Sequence, residues 1–283
     1  MTDLVYLYLL APLHTGGTTQ EGNLLGIARE SHTNLPYIPS STIRGRLRAS
    51  VGTSIENRIK RVQLFGPDLK DTQDSDFIEY YEMETDKRLT QLEQGNVWVG
   101  DGSILWVPVP SLSHGVVWVS SPLLLKRWAR FNSAVANQIP APYSTSLQTN
   151  ALVYLKDAIL KQGDLKAWSD WQNFVPQNSD AVAIDKVLVL PDQHCATLIQ
   201  MCLWRQVKVK LDEHKSVEGG FRYEEAIPPD ALMYFPWGIT SQANGSSQKA
   251  RNDFAQLLAG HEILQIGGQE SLGRGFVQQW LAQ

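Results

Sequence analysis

An α+β fold is the class this sequence predicts, on three observations. An apolar run, Leu4–Ala11, is followed by a long glycine-bearing loop and a marked helix start just after Pro39. Three short runs rich in β-branched and aromatic residues then follow one another between Val97 and Ser120. A later run, Leu203–Leu211, alternates apolar and polar positions as a half-exposed strand does. The 283 residues accommodate one elaborated domain or two, and a composition 43% hydrophobic and 19% charged is that of a globular chain with a core.

The first strand leads into a loop holding Gly16, Gly17, Gly22 and Gly26, then Pro36 and Pro39 turn the chain toward a helix. Ser40, Ser41 and Thr42 are good N-cap types, and Ile43 and Leu47, four apart, form the inward face. Arg44 and Arg48 are also four apart and share a face, with Arg46 well around from them. A helix start with hydroxyls and free N–H groups attracts anions, and guanidinium forks match phosphate oxygens. The bland reading of the same residues is a cap and a solvated face. Gly45 costs this helix about 1 kcal/mol relative to Ala, which close approach of another backbone would explain.

A basic helical stretch is expected from Ser50 to Gly66, and an acidic surface insertion or mobile loop from Asp68 to Gln94. Through Pro67 the chain carries seven basic and four acidic residues; from Asp68 to Glu93 it carries three basic and nine acidic. With a net charge of −4 overall, any surface for a polyanion must be local, and this polarity suits one nucleic-acid side and one protein side.

Strands are expected at Val97–Val99, Ser103–Val109 and Gly115–Ser120, with Pro108 on an edge or bulge. Ser121 followed by Pro122 starts a helix. Residues 140–185 resist organisation, apart from an expected helix over Ala151–Lys161 onto which Trp168 and Trp171 would pack. The strand Leu203–Leu211 presents Lys208 and Lys210 on one face, and Asp212–Gly220 makes a hairpin tip. Near the end, Gly267, Gly268, Gly273 and Gly275, with Arg274 among them, form a loop whose backbone can come close to a polyanion.

Cys195 and Cys202 suggest neither a disulfide framework nor, with His194, a zinc site, so no metal site is expected. No apolar run is long enough to span a bilayer and the N-terminus has no signal layout, so a cytoplasmic protein without a membrane partner is expected. No Gly-x-Ser-x-Gly elbow supports seryl hydrolase chemistry.

Leu13-His14-Thr15-Gly16, Arg29-Glu30, Thr33–Thr42 and Ile43-Arg44-Gly45-Arg46-Leu47-Arg48 stand in order along one stretch. This resembles the N-terminal signature of the RAMP (repeat-associated mysterious protein) superfamily of CRISPR effector subunits. Val107–Leu112, Gly115–Pro122, Gly219–Asp230 and Gln265–Val277 resemble the repeated backbone subunit of the type III-B (Cmr) branch. The likeness touches both ends and the middle and leaves roughly 130–215 poorly covered.

The resemblance implies a single domain over 1–283 with a ferredoxin-like (RNA-recognition-motif-like) core, helical insertions and a β-hairpin thumb at about 203–220. It implies a CRISPR-RNA-binding backbone subunit that polymerises along the guide and positions target RNA for antiviral defence, with copies of itself and other effector subunits as partners. His14, Gly16, Gly17, Ser40, Ser41, Thr42, Arg44, Arg48, Gly267, Gly268 and Arg274 would meet RNA.

The resembling subunit cuts target RNA with an acidic residue, usually Asp, five positions before the Arg of the Arg-Glu pair. Here that position is Leu24, with Asn23 beside it and Glu21 the one candidate catalytic carboxylate on the loop. Binding requires no cofactor on this reading, and Mg²⁺ or Mn²⁺ enters only if cleavage is retained. The alternative is an active metal-dependent endoribonuclease cutting guide-paired target at regular intervals. His14 and His32 could in principle run metal-free acid/base chemistry, although structural hydrogen bonds are the commoner role. A third reading is an assembly protein without RNA contacts.

Overall fold

In the computed structural model the described residues are 2–282 apart from 18–19, 22–23, 133, 149, 151, 177, 179–183, 242 and 244–246. The chain opens with β1 (Asp3–Leu9), then the short strands β2 (Gln20–Glu21) and β3 (Leu24–Leu25). Three helices follow, α1 (Ser40–Ser50), α2 (Ile55–Phe65) and α3 (Ser75–Thr85). Next come β4 (Val97–Val99), β5 (Ser103–Ser111), β6 (Gly115–Ser120) and α4 (Pro122–Ala129). An irregular stretch carries β7 (Ser144–Thr145), β8 (Val153–Leu155), β9 (Ala158–Leu160), β10 (Lys166–Ala167) and β11 (Val187–Val189). Then α5 (Asp192–Met201), β12 (Trp204–Leu211), β13 (Val217–Ala226), β14 (Leu232–Ile239), α6 (Ser247–Ala259), β15 (Ile263–Gln265) and β16 (Phe276–Leu281) complete the fold.

The main sheet runs β10-β7-β11-β6-β5-β14-β1-β16-β15, and the neighbours β5, β14, β1 and β16 are all antiparallel. Alternation along β1 sends Val5, Leu7 and Leu9 to one face and Leu4 and Tyr6 to the other. On the first face they meet Ile43 and Leu47 of α1, Phe65 of α2 and Phe254 of α6; on the second they meet Trp128 of α4 and Phe174. Ser121 caps α4 by accepting from the Leu124 N–H at 3.4 Å, as its place before Pro122 predicts. Pro108 pairs with Trp118 and lies past the end of the β14 ladder, at a position that needs no second donor.

Two expectations are overturned. Where a helix was expected over Ala151–Lys161, residues 153–160 make the antiparallel hairpin β8–β9, turning at Lys156, whose φ is +42°. Trp168 packs instead on Phe174, with ring centroids 5.1 Å apart. The acidic segment 68–94 is no loop: α3 is capped by Asp74, and Phe77, Tyr81 and Leu89 bury themselves with Val62 of α2 in a small core of their own.

The acidic segment also answers the basic one directly. Asp71, fully excluded from solvent, takes Arg58 Nε at 2.8 Å and Arg61 Nη2 at 2.5 Å, with Arg48 Nη2 at 3.5 Å. Arg58 reaches Asp74 at 2.6 Å as well, and that guanidinium, together with the Phe77 N–H, holds the Asp74 carboxyl below its ordinary value. The charge polarity of the sequence is therefore largely spent inside the fold rather than divided between two surfaces.

Candidate nucleic-acid interface

The first loop and the last loop meet beside the start of α1. Gly268 N–H donates to the His14 carbonyl at 2.9 Å and Gly275 N–H to the Pro12 carbonyl at 2.9 Å, so the two loops run as one short ladder. The glycines allow this approach: a Cβ on Gly267, whose φ is +84°, would overlap the His14 carbonyl oxygen. Gln265 ties the loop from within, donating through Nε2 to the carbonyls of Gly267 and Arg274, each at 3.2 Å.

Between this ladder and α1 lies an open depression of about 450 Å³. His14, Gly16, Ser41, Thr42, Gly267 and Gly268 line it, so the sequence placed six of its expected residues in one site. Gly45 and Arg46 complete the helix wall. Apart from its own helix backbone, no described atom stands within 4 Å of a Cβ built on Gly45, so its absent side chain leaves open space rather than admitting a neighbouring backbone. The His14 ring is buried against Gly268, and its Nδ1–H donates to the Glu225 carbonyl at 2.8 Å. Because a carbonyl only accepts, that bond places a proton on Nδ1.

The remaining expected residues are placed otherwise. Gly17 lies where a Cβ would press on the Gly26 carbonyl oxygen at 2.9 Å, so it serves the crossing of two loop segments. Ser40 to Thr42 are no cap: the N-cap position is Pro39, no side chain caps there, and the Ser40 N–H donates to Asp101 Oδ1 at 2.6 Å. A carboxylate of the protein thus already occupies part of the anion-attracting helix start.

Arg44 and Arg48 turn from the depression. Arg44 donates to the Phe65 carbonyl and lies over the Phe65 ring, with burial and the neighbouring Arg48 drawing its pKa down. Arg48 sits 3.4 Å from Asp68 and 3.5 Å from Asp71. Arg274 is buried, bonded to Glu224 at 2.9 Å and Gln206 at 2.6 Å and stacked 4.3 Å from the Trp204 ring centroid.

Arg46 is the residue that sequence reasoning passed over. Its Nε is shielded from solvent and has no hydrogen-bond partner among the described residues. At 100° per residue, Thr42 and Arg46 flank the Ile43/Leu47 core face on one side while Arg44 and Arg48 flank it on the other. Helix spacing alone did not single it out: around the helix Ser41 and Gly45, which share the depression with it, lie nearer to Arg48 than to Arg46.

The hairpin is longer than expected, running through β12 and β13 from Trp204 to Ala226 and turning at 212–216, where Asp212 Oδ1 accepts from the His214 and Ser216 N–H groups. One face stacks the pairs Val207–Tyr223, Val209–Phe221 and Leu211–Val217, all exposed; the other carries Lys208–Glu224 and Lys210–Glu218 ion pairs. Its root pairs with β3, setting Leu24 opposite Tyr223. Asn23 and the Glu21 side chain lie outside what is described, although the Glu21 backbone pairs with Leu24. His32 is exposed, near Glu30. Cys195 is buried, and burial pushes its thiol pKa up. Among the described residues no helix is long and apolar enough to cross a membrane.

The RAMP superfamily model matches residues 6–278. The chain is 30% identical over 303 aligned residues to the CRISPR system Cmr endoribonuclease Cmr4 of Pyrococcus furiosus, covering 99% of this chain and 95% of that one. In fold it is similar to a chain of the type III-B Cmr-beta complex bound to cognate target RNA, with a TM-score of 0.75 at 20% identity over 99% of this chain and 97% of the other. It is likewise similar to oligomeric Cmr4 of Pyrococcus furiosus, with a TM-score of 0.66 at 24% identity and the same coverage. With the family model matching residues 6–278 and its length matched almost end to end by a relative 30% identical, this chain belongs to the RAMP superfamily.

Proposed function

We propose that this chain is a CRISPR-RNA-binding backbone subunit of a type III-B RNA-targeting effector complex, one that polymerises along the guide and positions target RNA for antiviral defence. The observation that carries the reading is the depression itself: two glycine-bearing loops and an open helix glycine converge where an elongated polyanion can lie close to the backbone. Arg46, Ser41 and Thr42 hold phosphates from the helix side; His14, Gly16, Gly267 and Gly268 face them. The contacts are to backbone and shape, and base pairing between guide and target supplies the sequence specificity.

Target RNA, further copies of this chain and other effector subunits are its partners, and the cytoplasm is its place of work. The exposed apolar face of the hairpin suits the thumb role of the family, with Phe221 and Tyr223 available to bases. The order β16-β1-β14-β5, joined by helix-bearing crossovers after β1 and β14, supports a ferredoxin-like core within one domain spanning 1–283. Guide binding needs no cofactor on this reading. Leu24, at the register of the family's catalytic acid, offers no carboxylate, which favours a backbone subunit over a nuclease.

The test is to isolate the complex with its partner subunits, extract the nucleic acid it holds, and add labelled complementary RNA with and without Mg²⁺ or Mn²⁺. Bound guide with intact target is the expected result. Products at regular spacing would establish the endoribonuclease alternative instead, and a complex without RNA would overturn the proposal.

A further inference from the structure

We infer that Glu224 and Glu225 are positioning residues that fasten the hairpin to both loops of the depression, so that RNA seated there also sets the hairpin. This rests on the RNA-binding reading above. Adjacent residues of a strand point to opposite faces, and here each face is gripped by a different loop. Glu225 takes Arg29, which follows β3, at 2.7 Å and Arg205 at 2.9 Å, while its carbonyl holds His14. Glu224 takes Lys208 at 2.8 Å and, from the terminal loop, Arg274 at 2.9 Å and Gln269 at 3.0 Å.

Both carboxylates are nearly excluded from water, with side-chain exposures of 1% for Glu225 and 8% for Glu224. Burial alone would raise the Glu224 pKa, but Lys208, Arg274 and Gln269 hold it below its ordinary value. Two buried carboxylates thus gather four cations at the hairpin root, two of them from outside the hairpin. Among the described residues, the hairpin is paired in sheet beyond its own two strands only with β3, at Tyr223–Leu24 and Glu224–Leu25. The N-terminal loop that carries His14 and the C-terminal loop that carries Gly267 and Gly268 are therefore the bodies to which it is anchored. A shift of either loop on binding moves an anchor of the hairpin.

The experiment is hydrogen–deuterium exchange on the full chain, with and without a single-stranded RNA oligonucleotide, for wild type, Glu224→Gln and Arg274→Lys. The lysine variant keeps the charge and loses the fork and the stacking, which guards against an outcome due only to a buried charge left alone. The expected result is a gain of hairpin protection on RNA binding in wild type, cut at least threefold in both variants, with RNA affinity within about threefold of wild type. A purely structural role would lower hairpin protection equally with and without RNA and leave that gain intact, which would overturn the inference. RNA binding in wild type without any hairpin response would overturn it too. A wild type that binds no RNA would overturn the RNA reading and the inference together, a result distinct from either of these.

Discussion

Gly267 and His14 are packed so closely that a side chain at position 267 would overlap the His14 carbonyl oxygen. Gly267 also has φ +84°, a conformation that costs other residues about 1–3 kcal/mol. Gly267→Ala is expected to lower stability by about 2 kcal/mol or more, read as a lower thermal midpoint. The neighbouring Gly268→Ala should behave differently. Its Cβ would make ordinary contact with the His14 ring at 3.7 Å, so the protein folds normally while the depression narrows and RNA affinity falls. Equal thermal loss for the two variants would contradict this account of the loop.

Gly45→Ala separates folding from binding. Apart from its own helix backbone, the new methyl meets no described atom within 4 Å, so the helix should gain about 0.8–1 kcal/mol of stability from propensity. Because the same methyl enters the depression, RNA affinity should drop several-fold. Thermal melts and RNA titrations on one preparation check both signs. A variant more stable and equally tight would place the RNA elsewhere.

Much of this was legible in the sequence, and the failures have physical causes. Helix α1, strand β1 and the three strands after Val97 declared themselves through periodicity and punctuation. The β8–β9 hairpin did not, because its turn sits on Lys156 and Asp157, without the Gly or Asn that normally announces positive φ. The apolar residues around that turn also fall at spacings a helix could use. The site's loops were legible as a family signature, but the roles of its arginines were not. Which side of the Ile43/Leu47 face is solvent depends on where α2 and the acidic segment fold back, and Phe65, Asp68 and Asp71 claimed Arg44 and Arg48. Glu224 and Glu225, legible in the sequence only as part of a family-like stretch, are buried anchors.

The Asp71 cluster governs the acidic segment. Asp71→Ala leaves Arg58, Arg61 and Arg48 facing one another around a buried gap, and should destabilise by about 3–5 kcal/mol. Proteolysis mapped by mass spectrometry should find the new cleavage sites within 68–94. Cleavage spread evenly over the chain would argue against a local role.

Acid should loosen the same segment. Arg58 and the Phe77 N–H hold the Asp74 carboxyl below its ordinary value, so the group stabilises the fold above its unfolded pKa of about 3.9 and loses that contribution as pH falls through the folded value. Hydrogen exchange in α3 should therefore accelerate selectively below about pH 4. In Asp74→Asn this acid-dependent part should shrink. Unchanged acid sensitivity in that variant would assign the effect to other carboxylates.

The most direct test of the central claim is RNA affinity measured across salt concentration for wild type, Arg46→Ala and Arg48→Ala. If phosphates lie in the depression, Arg46→Ala should weaken binding and reduce the slope of log affinity against log salt by about 1, whereas Arg48→Ala should lower stability and leave that slope intact. A wild-type slope in Arg46→Ala, with the loss appearing in Arg48→Ala instead, would contradict the account and return the RNA to the other side of α1.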